Sequence, residues 1–336
     1  MDGSGRVRIR DIADELGLST ATVSNVLHGK RGKASEETAR RVLALVEERR
    51  YIPSMAGVLL AHSAAPIVGI VVNDHEKYEA HALEDPFIAS LLSCLSAEIE
   101  AQGRFMMVKR ATEAEAIVRF ASMWNLEGLV LVGFCTQDYE RLRGRMRVPF
   151  VVCDGYDVPK ERTCNVTIDH RDGGRQMGAY FRRLGHTRAL CVADNEICMD
   201  AERCEGFREG FGSGADFLKI PMHREERQRF YAENFGFLLR HTAIFAVSDE
   251  YAVELMRFLL GRGIGVPGEI SVAGFDDAPI CERVYPALTT IRQDSVLRAR
   301  VVLRKLEALC AGEATEPQTV LPVRLVVRES TGRPRS

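Results

Sequence analysis

From Ile67 onward the chain alternates short apolar runs with amphipathic segments, and this alternation narrows the possible folds more than any other feature. The runs are Ile67–Val72, Gly128–Val132, Phe150–Cys153, Ala189–Ala193, Ala243–Ser248 and Ile270–Phe275, with helical periodicity near 87–102, 113–124, 172–184, 200–211, 224–240 and 250–262 between them. Strands without polar alternation are buried on both faces. Separated by single helices, they form a parallel sheet flanked by helices on both sides. The number of units predicts two such sheets.

In open parallel sheets, ligands bind beyond the carboxyl ends of the strands. Asp154, Asp249 and the pair Asp276-Asp277 directly follow apolar runs, Asp169 follows Val166-Thr-Ile168, and Arg203 precedes Gly206-Phe207 on a helical stretch. Carboxylates and one guanidinium around a cleft hydrogen-bond hydroxyls bidentately, which is the chemistry of sugar recognition. Each of these residues also suits a helix cap or a surface charge, Asp249 and Asp169 above all.

The residues before the first run have another organisation. Ile9, Ile12, Ala13 and Leu16 lie at helical spacing and Gly17 stops the helix; Ser19 then stands at an N-cap, followed by Val23, Val26 and Leu27 on one face. Ala13, Gly17 and Val23 supply a small residue at a helix contact, a glycine for positive φ in the turn, and an apolar anchor in the second helix. That is a helix-turn-helix pattern, although an ordinary αα-hairpin shares the spacing. A third helix is signalled by the cap Ser35-Glu-Glu, by Ala39, Val42, Leu43 and Val46, and by Arg49-Arg50. The start of the second helix is short and polar, with Ser19, Thr20, Ala21, Thr22, Ser24 and Asn25. It suits a major groove, where Asn pairs with adenine and a methyl meets thymine. Arg8, Arg10, His28, Lys30, Arg31 and Lys33 flank it as phosphate contacts.

Composition agrees. The 336 residues are 46% hydrophobic and 27% charged, and no apolar run reaches the ~18 residues of a membrane span. The first residues lack the apolar stretch of a signal peptide, so a cytoplasmic protein is expected. Nine cysteines, without a C-x-x-C pair, read as reduced buried thiols rather than a disulfide framework or zinc site. The net charge is −2. Residues 1–61 carry ten Lys/Arg against eight Asp/Glu, so the small basic excess lies N-terminally. His75 and His81 have no third metal ligand at a recognised spacing. Gly173-Gly174 and Gly210-x-Gly212-x-Gly214 are not phosphate loops, and the G-x-S-x-G elbow is absent. No cofactor, metal or catalytic residue is expected, and no enzyme. A transport-type solute-binding protein is disfavoured by the helix-turn-helix pattern.

Residues 7–28, VRIRDIADELGLSTATVSNVLH, followed by Tyr51-Ile-Pro53, resemble the DNA-binding head of the lactose-repressor (LacI/GalR) family. Further similarities are Asp85-Pro-Phe87, Gly185-His186, Arg203-x-x-Gly-Phe207, Ser248-Asp249, Gly274-Phe-Asp-Asp277, Leu288-Thr-Thr-Ile291, Leu321-Pro-x-x-Leu325 and Arg328-x-Ser330. The resemblance implies base readers at Thr20, Ala21 and Asn25, where Asn replaces the usual Arg. It also implies effector contacts at Asp154, Arg203, Ser248 and Asp276, and a hinge whose Leu60 wedges into the minor groove. Gly57 and Val58 depart from the family hinge, so residues 54–61 are either a hinge helix that folds on DNA or an apolar linker. The implied organisation is a helix-turn-helix over 1–52, a hinge over 53–63, and a periplasmic-binding-protein-like effector and dimerisation domain over 64–330. Its first lobe takes 64–166 and 293–318, its second 167–292 and 319–330, with 331–336 as a tail. The implied function is a DNA-binding regulator and repressor. Its partners would be palindromic double-stranded operator DNA, a second copy in a homodimer, and a sugar or sugar derivative; a purine or other polar metabolite acting as corepressor is the alternative. No C-terminal leucine heptad signals a tetramer.

Overall fold

In the N-terminal unit, Met1–Ala65, three short helices share one small core. Helix α1 spans Ile9–Leu16 and α2 spans Thr20–Leu27, joined by a turn in which Gly17 sits at φ +63°. No atom crowds a Cβ at that position, so it is the left-handed backbone that calls for glycine. The turn closes when Leu18 N–H donates to the Ala13 carbonyl at 2.9 Å. Ser19 Oγ accepts from the Thr22 N–H at 3.1 Å and starts α2. Helix α3, Glu36–Glu48, is capped in the same way by Ser35 with two acids in its first turn. Ile12, Ala13, Val23, Val42 and Leu45 form the buried centre. Leu43, expected on the apolar face of α3, is 52% exposed, and Leu45 takes the inward place. Leu45 lies i+3 from Val42 and so shares its face, whereas Leu43 is rotated about 100° away.

The computed structural model describes residues 7–27, 33–52, 65–134, 141–142, 144–155 and 164–335. The hinge 53–63, with Gly57, Val58 and Leu60, lies outside the described residues, as do His28, Lys30 and Arg31.

The second unit, Pro66–Ser336, carries two sheets. The first has six strands in the order β11-β5-β4-β3-β1-β2: β1 is Ala65–Val72, β2 Phe105–Arg110, β3 Leu126–Val132, β4 Phe150–Cys153, β5 Asn165–Ile168 and β11 Gln318–Leu321. The second has four in the order β7-β6-β8-β9: β6 Ala189–Ala193, β7 Ala215–Lys219, β8 Ala243–Ala246 and β9 Ser271–Ala273, with parallel pairing throughout. β10, Thr290–Gln293, and β12, Val323–Val326, form an antiparallel ribbon. β5 and β11 lie wholly within the first sheet, so the chain changes lobe after Ile168 and after Leu321. Both points are slightly beyond the expected changeovers at 166/167 and 318/319. Helices α4, Pro86–Ala101, α5, Ala114–Met123, and α11, Ser295–Cys310, accompany the first sheet. α6, His170–Leu184, α7, Cys198–Phe211, α8, Arg224–Glu233, α9, Phe235–Leu238, and α10, Asp249–Gly261, accompany the second. The stretch expected as one helix over 224–240 is interrupted at Asn234.

α6 and α7 meet backbone to backbone. A Cβ on Gly174 would stand 2.0 Å from the Arg203 carbonyl oxygen, one on Gly178 2.3 Å from that of Phe207, and one on Gly206 1.9 Å from that of Arg171. Because α7 carries Arg203 and α6 begins at His170, this contact sets the distance between two residues of the cleft. Gly206→Ala should therefore lower stability by about 2–4 kcal/mol, since the opposing atom is backbone and cannot rotate away. Gly236→Ala, where nothing lies within 4 Å, should be neutral or slightly stabilising. Urea denaturation of the two variants checks the contrast.

Candidate functional site

The outward surface of α2 is the first candidate. Thr20 and Ala21 are exposed and Asn25 is half-buried, while Val23 points into the core. Ser19 and Thr22 are engaged with each other, their hydroxyls 2.9 Å apart, so capping occupies two of the polar groups expected at this surface. Ser24 is half-buried. Arg8 is exposed at the start of α1, where its backbone N–H donates to Asp11 Oδ2 at 2.7 Å. Arg49 pairs with Glu15 at 2.8 Å, tying α3 to α1.

The second candidate is the cleft of the α/β unit, where a closed circuit of buried polar groups includes residues at two of the chain crossings. Asp154, just after β4, accepts from Arg298 Nη1 on α11 and from Thr167 Oγ1 at 3.2 Å. Arg298, fully buried, also donates through Nη2 to Gln293 Oε1 at 2.6 Å. Gln293 Nε2 donates to Asp276 Oδ1 at 2.6 Å, and that oxygen lies 3.7 Å from Arg203 Nη2. Arg203 Nε donates to His170 Nδ1 at 3.1 Å, and His170 Nε2 returns to Thr167 Oγ1 at 3.4 Å. Burial, together with the positive charge of Arg203 and Arg298, holds the His170 pKa well below its usual value. The ring is therefore neutral, with Nδ1 as acceptor and the proton on Nε2.

Arg203 is fixed further by a 2.5 Å bond to the Val247 carbonyl and by the face of Phe275, 3.8 Å from its guanidinium carbon. Burial, reinforced by Asp249 and Asp85, raises the Asp276 pKa well above the ordinary carboxylate range despite Arg203. Asp154, Asp276 and Asp277 all adopt positive φ, +56°, +121° and +60°. Such backbone is held only where its surroundings over-determine it, and it clusters at functional sites.

Three of the four expected effector residues, Asp154, Arg203 and Asp276, thus fall into one network. Ser248 does not join it: its Oγ accepts from Tyr251 N at 3.3 Å and caps α10. Asp249 is buried and structural, accepting from Ala278 N at 2.8 Å and Thr290 Oγ1 at 2.5 Å. Asp169 caps α6 through Asp172 N at 2.8 Å. Arg298, Gln293, His170 and Thr167 were missed. No local motif marks them; the only available signal was their place at the chain crossings and, for Arg298, a charge inside an apolar helical face.

A further group lies at the mouth of β6. Asn195 Nδ2 bridges Asp194 Oδ1 at 2.9 Å and Asp200 Oδ2 at 2.7 Å. Burial, with the neighbouring Asp194, raises the Asp200 pKa to about 6. Tyr251 packs nearby, its ring 4.9 Å from the guanidinium carbon of Arg227, which forms a buried pair with Glu254 at 2.5 and 3.0 Å. From the first lobe, the segment after β1 reaches across: His223 Nδ1 lies 3.2 Å from Glu79 Oε1. His75 and His81 in that segment are taken up locally, by Lys77 N at 3.2 Å and Glu84 at 2.8 Å.

Residues 8–54 match the family of bacterial regulatory proteins of the lacI type, and residues 179–331 match the periplasmic binding protein-like domain. The chain is 27% identical to the transcriptional regulator CelR of Thermobifida fusca, covering 98% of this chain and 100% of that protein. It superposes on the lac repressor dimer bound to operator and the anti-inducer ONPF with a TM-score of 0.83 at 23% identity, covering 97% of this chain and 99% of that one. A CelR–cellobiose complex matches with a TM-score of 0.68 at 24% identity, over 97% and 100% of the two chains. Both matched segments and the full-length relatives are similar to LacI/GalR-type proteins. Those relatives are named as helix-turn-helix transcriptional regulators. Among the described residues no helix is long and apolar enough to cross a membrane.

Two outcomes follow for the buried groups of the cleft. Arg298→Ala leaves the Asp154 carboxylate buried beside Thr167 alone and should cost about 3–5 kcal/mol in urea denaturation, much of it recovered when Arg298→Met is combined with Asp154→Asn. Asp200 has a folded pKa of about 6 against 3.8 for the free side chain, so its contribution is most favourable at low pH and is lost as pH rises through about 6. Asp200→Asn should therefore raise stability at pH 7.5 by about 2 kcal/mol and change it little near pH 4, as thermal melts at the two pH values will show.

Proposed function

We propose that the protein is a cytoplasmic repressor that binds a palindromic operator as a homodimer through α2, and whose operator affinity is set by a sugar or sugar derivative held between the two lobes. In this reading residues 1–52 bind DNA, 53–63 are the hinge and 64–330 bind the effector. The observation that carries it is Arg203, held between the Val247 carbonyl, Phe275 and Asp276 at the carboxyl ends of the second sheet's strands. A guanidinium and carboxylates fixed in this way offer paired donors and acceptors to vicinal hydroxyls. Asp276 ionises more readily once a hydroxyl donates to it, which couples binding to the network. The network includes residues at two of the connections between the lobes, Thr167 and His170 at one and Gln293 and Arg298 at another, so a ligand that changes it biases one lobe arrangement over another. Operator affinity then shifts only by the ligand's differential affinity for the two arrangements. The complexes of lac repressor with operator and of CelR with cellobiose support both halves of this reading.

On the DNA side, Thr20, Ala21 and Asn25 read bases, with Arg8, Ser19, Thr22, Ser24, His28 and Leu60 as supporting contacts. Fluorescence anisotropy on the DNA upstream of the regulator's own gene tests the proposal. Salt-sensitive, sequence-preferring binding is expected, weakened about 10-fold or more by Asn25→Ala, the worth of one base contact. One sugar of a panel should shift the wild-type curve but not that of Arg203→Ala. Binding without sequence preference at every salt concentration would sink the reading.

A further inference from the structure

We propose that Asp194 and Asp200 form a cation-accepting subsite on the wall of the effector cleft, so that the effector is an amine-bearing polyol such as an amino sugar. This rests on the preceding assignment of the cleft to a polyhydroxylated effector and specifies which one. Asp194 follows β6 at the carboxyl end of the strand, where ligands bind in parallel sheets. Asp200 lies three residues before Arg203 on α7, which places both on one face of that helix. The subsite therefore adjoins the guanidinium that anchors the hydroxyls.

The decisive observation is an acceptor that is not fully satisfied. Asp194 is only 3% exposed, yet its Oδ2 has no hydrogen bond of ordinary length, although the Tyr251 phenol interacts with this carboxylate. Leaving such a group buried without a donor is costly, the more so for a charge. Its Oδ1 is tied through Asn195 to Asp200, so two carboxylates stand side by side. From the other lobe, Lys77 feels Asp200, Asp194 and Asp85 together. Its Nζ rests 4.8 Å from the centre of the Tyr78 ring and makes no ion pair within 4.0 Å to Asp194 or Asp200. Asp194, Asp200 and Asp85 thus act together on one ammonium, with Arg203 as the other cation that reaches Asp200, and neither cation is paired directly with Asp194. A ligand hydroxyl supplies one donor to Asp194; an ammonium supplies up to three and brings a positive charge as well.

The test uses the full-length protein and matched probes at pH 6.5: glucosamine against glucose, galactosamine against galactose, and N-methylglucamine against sorbitol, each titrated by calorimetry. In at least one pair the amine should bind 10-fold or more tightly than its hydroxyl twin. Asp194→Asn combined with Asp200→Asn should reduce that preference to within about 2-fold, with folding of the variant verified by its thermal melt. Equal or tighter binding of the hydroxyl twins, an amine preference that survives in the double variant, or no binding by any amine overturns the proposal. If a neutral sugar then binds, requires Arg203 and shifts operator affinity, the parent reading stands and only the amine assignment has failed; if no probe shows Arg203-dependent binding, the parent reading fails too.

Discussion

The second unit depends on one fully buried cation. Arg298 enters from α11 beneath the first sheet, and its charge is tolerated because Asp154 and Gln293 meet its two terminal nitrogens. Each partner belongs to a different connection: Asp154 ends β4 and Gln293 ends β10. From them the circuit continues to Thr167 and His170 on one side and to Asp276 and Arg203 on the other. A buried ion pair of this kind adds little net stability over an apolar core. Its consequence is geometric, since both lobes must present their polar groups at fixed positions for any one of them to be satisfied.

The α6–α7 contact has the complementary role. Its glycines let the two backbones approach until carbonyl oxygens occupy the space that a Cβ would need. α7 thereby brings Arg203 and Asp200 toward the cleft from a closely packed support. A ligand acts at a distance through such a frame only in so far as it binds one arrangement of the network better than another.

Much of the architecture was legible in the residues. Strands buried on both faces, such as β1, β3, β6 and β8, are continuous apolar runs, and those runs stood out. The edge strands β2 and β7 escaped notice: with one side unpaired they carry residues such as Lys109, Arg110, Asp216 and Lys219, and no apolar run results. Helix α11 escaped as well, because Arg298 interrupts its apolar face. Several residues recognisable by family resemblance proved to be fasteners. His186 bonds to Thr242 at 2.8 Å and to the Gly332 carbonyl at 2.9 Å. Ser330 Oγ donates to the Val272 carbonyl at 2.6 Å.

The sequence alone determined the helix-turn-helix, the two-sheet plan and the candidacy of Asp154, Arg203 and Asp276, because periodicity, capping and strand-end placement are local properties that a linear pattern records. Tertiary structure alone decided that Ser248 and Asp249 serve α10 and its surroundings, that Arg298, Gln293 and His170 complete the cleft, and that one oxygen of Asp194 is left without a hydrogen bond of ordinary length. These outcomes depend on distances between residues as far apart as Asp154 and Arg298, and the hydrogen-bond capacity of a buried group is settled only when every neighbour has taken its place.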